Sequence, residues 1–277
     1  MKNLIRLCDY TKEEIFKIFN IADEIEQGKY ENCLKGKTIV LFFPNSSIRT
    51  RVTFEKGTNM LGGQSILFPS DALDKKEEIK DVVGYLNNWV DCLIVRHRDI
   101  SLINEMAAYS SVPVINAMTS VNHPCEVLSD LYALCKLREN FLELNYLFVG
   151  AKENIGLAWN EAAQLLGFSL TQCCPNNHEM DDIPIENDIT KAFLNKDIIL
   201  TDPVSEEILK DFKEYQVTTE LMNLANKDAL LNPCPPFYRG KEVSVDVIDS
   251  EYFIRYEFKK TLLNVQQAII IFNMQNF

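Results

Sequence analysis

The sequence predicts an α/β protein built of two domains, each a mostly parallel sheet flanked by helices. Three observations carry this. Short apolar runs alternate with segments of helical periodicity along the chain, the pattern of strands joined by crossover helices. The alternation runs as one series to about residue 134 and then restarts. The chain is 277 residues long, more than the ~100–200 of a typical single domain.

Each element has its own signal. Residues 12–26 carry Ile15, Ile18, Phe19, Ile21 and Ile25 at helical spacing, with Thr11 in front as a cap. Residues 37–43, apolar without a break from Ile39 to Phe43, form a buried strand. A helix follows over 49–63 with Gly62 at its end, then a strand over 64–68. The pattern continues as a helix at 75–89, a strand at 91–96, a short helix at 104–110 and a strand at 111–117. Residues 125–139 place Val127, Leu128, Leu131, Leu134 and Leu137 on one helix face. The second series opens with a strand at 145–150 and a helix at 155–167 closed by Gly167. A strand at 168–174 is followed by a polar, turn-rich stretch over 175–190. Strands at 197–202 and 228–234 and an apolar helix at 258–277 complete the chain.

Composition narrows the function. Lys and Arg number 28 against 40 Asp and Glu, a net charge of −12; a nucleic-acid partner wants the opposite sign. A small anion needs only a local positive pocket and stays open. No run of ~18 apolar residues suggests a membrane span, and the first residues lack the apolar stretch of a secretion signal. The eight cysteines form no Cys-x-x-Cys pair, so reduced thiols in a cytoplasmic protein are expected. The three histidines, His97, His123 and His178, are too scattered for a zinc site. No metal and no cofactor is expected. A dehydrogenase is disfavoured because residues 149–156 do not have the Gly-x-Gly-x-x-Gly spacing.

Ligands of open α/β sheets bind beyond the carboxyl ends of strands, and four unusual segments fall there. Residues 44–51 set small hydroxyl residues and Arg49 at a helix start, where free backbone N–H groups favour an anion; a serine-capped helix with exposed arginines reads the same way. Arg96 ends a buried strand, as a solvated charge also could. His123 precedes Pro124 at the positive end of a helix, where a neutral imidazole could hydrogen-bond a carbonyl oxygen or simply serve as the entry residue. Pro233, Pro235 and Pro236 make a stiff turn around Cys234.

Singly these are weak, but their order and spacing are not. Ser47-Ile48-Arg49-Thr50-Arg51 followed by Phe54-Glu55, Val95-Arg96-His97, His123-Pro124-Cys125-Glu126 with Asp130-Leu131, Val149-Gly150 through Asn154, Leu200-Thr201-Asp202, and Pro233-Cys234-Pro235-Pro236 together resemble the aspartate/ornithine carbamoyltransferase family, closest to its ornithine branch. The resemblance implies a carbamoyl-phosphate-binding domain over 1–134, an amine-acceptor-binding domain over 135–257, and a C-terminal helix, 258–277, that packs back on the first domain. It implies transfer of a carbamoyl group to ornithine or an ornithine-like amine, in a homotrimer. Ser47, Ile48, Arg49, Thr50, Arg96, His123, Glu126 and Lys76 would bind carbamoyl phosphate, Lys76 from a loop that completes a neighbouring subunit's site. Arg96, His123 and Thr50 would hold the developing oxyanion. Asp202 and Cys234 would orient the amine, with Asn154 and Pro235 also touching the acceptor.

The chain departs from the ornithine-branch pattern at several of these positions. Ile48 stands for threonine, Glu126 for glutamine, Pro233 for histidine and Leu262 for an arginine that reaches carbamoyl phosphate. Arg239 or Lys260 is expected to supply the missing cation. After Asp202 the chain continues Pro203-Val204-Ser205 without the branch's Ser-Met-Gly loop. The alternative to an active transferase is therefore a related binding or regulatory protein that has lost turnover.

Overall fold

The computed structural model describes residues 2–275. The chain divides into two compact units: Met1–Tyr132 with Lys259–Phe277, and Ala133–Phe258.

The first unit holds strands β1 (Thr38–Phe43), β2 (Gln64–Pro69), β3 (Cys92–Arg96) and β4 (Val114–Met118), in the order β2-β1-β3-β4 and all parallel. Helices α1 (Lys12–Glu26), α2 (Arg49–Met60), α3 (Ile79–Leu86), α4 (Ile100–Tyr109) and the start of α5 (Pro124–Leu137) accompany them. Four of the five residues of β3, and four of β4, are buried, as expected of strands covered on both faces. Val40, Leu93, Val95 and Val114 pack with Val83, Ile103 and Met106 into one core. The second unit has β5 (Asn145–Val149), β6 (Ser169–Cys173), β7 (Ile185–Glu186), β8 (Ile198–Thr201) and β9 (Leu230–Pro233), in the order β7-β6-β5-β8-β9 and again parallel. Helix α6 (Asn154–Leu166) is followed by the one-turn helices α7 (Ile189–Ala192), α8 (Thr219–Met222), α9 (Val245–Asp249) and α10 (Glu257–Lys260). A Cβ at Gly156 would lie 2.6 Å from the Phe148 ring, so only glycine lets α6 approach β5 this closely.

The last helix, α11 (Leu262–Met274), packs on the first unit. Gln267 Nε2 donates to Gly57 O of α2 at 3.1 Å, and Asn264 Nδ2 to Glu26 at the end of α1 at 3.0 Å. Tyr10 stacks near Phe272, ring centres 5.8 Å apart, and its hydroxyl donates to Asn273. Residues 276–277 of the expected helix lie outside the described residues.

The fold class matches the expectation; several element bounds differ. Helix α1 is closed by a full capping box between Thr11 and Glu14. The helix expected over 75–89 begins only at Ile79 and ends at Leu86. Residues 74–78 are exposed and mostly charged, with no apolar face to bury, and the chain turns there instead. Conversely, α4 starts four residues earlier than expected. Asp99 caps it by accepting from Ser101 N at 2.8 Å. The polar stretch at 175–190 contains the edge strand β7, too short to leave a periodic signal. Among the described residues no helix is long and apolar enough to cross a membrane.

Candidate functional site

In a parallel sheet the chain leaves the central strands in opposite directions, and a crevice opens at that switch point. In the first unit the switch lies between β1 and β3. The segment after β1 and the residue ending β3 meet there. Arg96 Nη1 donates to Ser47 Oγ at 3.2 Å and to Thr50 Oγ1 at 3.3 Å. Ser47 and Thr50 are both buried. Ile48 caps α2 without any side-chain bond, and its own side chain is 71% exposed. The serine-capped reading of this segment therefore fails. The first four N–H groups of a helix have no partner within it, so those of residues 48–51 are left to meet a ligand or water. Arg49 is exposed on this first turn, and Arg51 is turned away to Glu55 at 3.0 Å.

His123 stands at the entry of α5, directly before Pro124 at the helix's first position. A network below holds it there. Asn122 accepts from Asn116 Nδ2 at 2.6 Å, donates to Ile5 O at 3.0 Å, and takes Thr119 Oγ1 as acceptor for its backbone N–H at 3.1 Å. Asn122 is fully buried. Replacing it with alanine strands several buried polar groups and is expected to cost about 1–3 kcal/mol, measured as a shift of the urea midpoint. The sequence reading missed this residue. Its only trace was a small polar residue in a predicted turn before a proline.

The imidazole itself is buried, and its Nδ1 has no hydrogen-bond partner. Burial pushes its pKa down to about 4, with Arg96 and Lys259 adding to the shift and Glu126 opposing it. At neutral pH the ring is therefore neutral. One turn along α5, Glu126 is also buried, and Lys259 Nζ lies 2.7 Å from its Oε1. Burial alone would raise the Glu126 carboxyl; the Lys259 ammonium, with His123 and Arg96, outweighs it and holds the group below its ordinary range.

A cavity of about 470 Å³ beside this cluster is lined by Pro44, Ser70, Asp74, Arg96, His97 and Arg98, among others. His97 Nδ1 accepts from the backbone N–H of Asp99 at 3.1 Å. That leaves Nε2–H to donate to Asp74 at 3.0 Å and ties down the start of the exposed loop carrying Lys75 and Lys76. Lys76 itself is exposed there, outside the Arg96 cluster.

In the second unit the switch point lies between β5 and β8. Asn154 opens α6 just after β5, Asp202 follows β8, and Cys234 follows β9. The Cys234 N–H donates to Thr201 O at 2.8 Å, so Asp202 and Cys234 end neighbouring strands. Cys234 is buried, with Sγ 3.9 Å from Pro235 O. A second cavity of about 470 Å³ is lined by Thr201, Asp202, Glu206, Lys210, Lys213 and Glu242, with others. Burial raises the Glu242 carboxyl. Neither Asn154 nor Cys234 lines this cavity.

The expected substitute cations are placed differently. Arg239 is held within the second unit by Asp249 at 3.0 Å and Val245 O at 3.4 Å, and Lys260 is exposed. It is their neighbour Lys259, overlooked in the sequence, that reaches the first unit's cluster. Leu262 is buried and apolar. Among the described residues no group of histidine, cysteine and carboxylate side chains could hold a metal ion.

Residues 2–136 match the aspartate/ornithine carbamoyltransferase carbamoyl-P binding domain, and residues 142–273 the Asp/Orn binding domain. An ornithine carbamoyltransferase of Desulfotalea psychrophila is 32% identical over 97% of this chain and 97% of its own length. One of Methanobrevibacter smithii is 32% identical over 98% of both. The solved structure of ornithine carbamoyltransferase from Pyrococcus furiosus superposes with a TM-score of 0.94 at 29% identity, over 100% of this chain and 98% of that one.

Proposed function

The chain belongs to the aspartate/ornithine carbamoyltransferase family, and from that premise we propose that it transfers the carbamoyl group of carbamoyl phosphate to ornithine or an ornithine-like amine, giving a ureido product and phosphate. The first unit takes carbamoyl phosphate and the second takes the amine. The observation that carries this reading is the cluster at the first switch point. One guanidinium, two buried hydroxyls and a helix start with open N–H groups meet there, and the buried imidazole of His123 feels the charge of Arg96.

The chemistry follows from those groups. The uncharged amine attacks the carbonyl carbon, a C–N bond forms, and negative charge gathers on the carbonyl oxygen. Arg96, Thr50 and His123 stabilise that charge, in a site where burial strengthens each hydrogen bond. The carbon–oxygen bond to phosphate then breaks as the oxyanion collapses, and the extra proton on the attacking nitrogen passes to the departing phosphate. Ser47, Arg49 and the N–H groups of residues 48–51 hold the departing anion. Because His123 is neutral, it acts as a hydrogen-bonding dipole rather than a second cation. Glu126 accepts from the carbamoyl amino group, since a carboxylate can only accept.

On the acceptor side, Asp202 and Glu206 face ammonium groups from Lys210 and Lys213 around one cavity. Such mixed charge suits a molecule bearing both amino and carboxylate groups, as ornithine does. Asp202, which lines this cavity, orients the attacking amine. The presence of Arg49, Thr50, Arg96 and His123 together favours an active enzyme over a binding relative.

Edge strand β2 leaves Ile66 and Phe68 45% and 40% exposed, and an uncovered apolar edge supports self-association. We read it as a contact of a homotrimer in which Lys76 reaches a neighbour's site; light scattering of a single species of three chains is the expected result. All eight cysteines are free, which suits the cytoplasm.

Ureido-product formation from carbamoyl phosphate tests the reading. Ornithine, lysine, putrescine, N-acylated ornithines and aspartate serve as acceptors, and Arg49→Ala as the blank. Product with one amine and none in the blank is expected. No product, together with no rise in melting temperature on adding carbamoyl phosphate, would overturn it.

A further inference from the structure

The structure links Glu126 to the segment that leads into the last helix through a residue that none of the motifs above contains. Lys259 Nζ sits 2.7 Å from Glu126 Oε1 and 2.7 and 2.8 Å from the two oxygens of Asp130. Glu126 and Asp130 are four residues apart on α5 and share a face, so two buried carboxylates would repel each other without a cation between them. The Lys259 side chain is only 16% exposed. Its backbone is fixed two residues later, where Thr261 Oγ1 lies 3.1 Å from Ser129 Oγ and donates to Ser129 O at 3.2 Å. The ammonium is thus clamped onto α5 one turn beyond His123.

We propose that Lys259 is a positioning residue of the carbamoyl-phosphate site: its ion pair keeps Glu126 an ionised acceptor for the carbamoyl amino group, so that Lys259 and Glu126 work as one pair. This rests on the function proposed above and adds a residue to it. A glutamine at 126 would be neutral and need no cation. A glutamate in a dry site does: without a partner it takes up a proton, becomes a donor and meets the carbamoyl N–H with another hydrogen. The groups facing Glu126 are Lys259, Asp130 and His123, with Arg96 across from it and Cys125 beside it in the chain. Lys259 makes a direct ion pair with Glu126. The pair is a specificity device as well. An acceptor-only side chain favours a ligand carrying –NH2 over one carrying a methyl group at the same place, as acetyl phosphate does.

The test is a double-mutant cycle read by carbamoyl-phosphate binding and by turnover. Lys259→Gln keeps a hydrogen-bonding side chain but removes the charge. We expect it to weaken carbamoyl-phosphate binding about tenfold at neutral pH, with recovery as pH rises and Glu126 ionises without help. Adding Glu126→Gln in the same chain is expected to restore most of the loss, because the amide no longer needs a cation. Thr261→Val, which loosens the segment but leaves the charge, is expected to lower stability without that pH dependence. Wild-type-like binding by Lys259→Gln overturns the inference, and so does a double variant no better than the single one. Should Lys259→Gln fail to fold, the double variant alone decides: restored folding and binding support the pairing, and their absence overturns it. A wild-type protein that ignores carbamoyl phosphate altogether would instead overturn the proposed function and the pairing with it, a result distinct from a wild type that binds while Lys259→Gln binds equally well.

Discussion

Arg96→Ala is expected to lower turnover about 10²–10³-fold, roughly 2.7–4 kcal/mol of transition-state stabilisation, the scale of one lost oxyanion donor. The guanidinium is tied to both hydroxyls of the first site, Ser47 and Thr50. Charge builds on the carbonyl oxygen only as the amine attacks, so the loss falls on kcat more than on KM. Arg96→Lys is expected to recover only part of it, because an ammonium is a compact point charge without the five planar donors of a guanidinium. Folding should survive in both variants. The strand ahead of Arg96 buries Leu93, Ile94 and Val95 and contributes its core contacts without the arginine. Turnover within about threefold of wild type, in a protein with normal kcat/KM for no other reaction, would remove Arg96 from the chemistry.

The second large effect concerns pH. His123 in the folded protein titrates at about 4, against 6.5 for a free histidine, because burial disfavours its charged form and Arg96 and Lys259 act the same way. In the unfolded chain the ring takes up a proton below about 6.5. The folded state binds fewer protons between those values, so stability is lost as pH falls from 6.5 toward 4. A separation of that size corresponds to about 3 kcal/mol when the window has been crossed, at about 1.4 kcal/mol per pH unit. Urea unfolding at pH 7 and pH 4 should show this loss in wild type and not in His123→Gln, whose side chain does not titrate. Equal pH slopes in the two proteins would contradict a neutral buried imidazole. Activity should agree: any acid limb due to His123 lies near pH 4, so around pH 6 kcat/KM follows only the deprotonation of the acceptor amine, without the additional fall that a histidine titrating near 6.5 would add.

The two pH effects are separable. His123 sheds charge because nothing pairs its Nδ1, whereas Glu126 keeps charge because Lys259 pairs its oxygen. They are one helical turn apart and equally buried. The difference between them is partner chemistry, not depth, and it decides which of the two is neutral at pH 7.

The sequence by itself determined the fold class and singled out the residues from which the candidate site is built. Strand and helix alternate with clear periods, and burial on both faces writes parallel strands as continuous apolar runs. Capping residues at Thr11 and Gly167 marked ends that the structure reproduces. Ser47, Thr50, Arg96 and His123 could be named because each lies at a strand end or helix start, where local chemistry is informative. Local signals failed where no local force acts. Residues 74–78 have helical propensity but no core to pack on, so they turn. The two-residue strand β7 exists only because β6 offers it hydrogen bonds. Asn122 looked like turn filler until the Ile5 carbonyl, 117 residues away, came to meet it. Lys259 was passed over for the same reason. Its meaning lies in Glu126 and Asp130, over a hundred residues earlier, and a charge pair across that distance is made by the return of the last helix to the first unit. Periodicity reports what each segment can bury; only the packed chain reports which buried charges find one another.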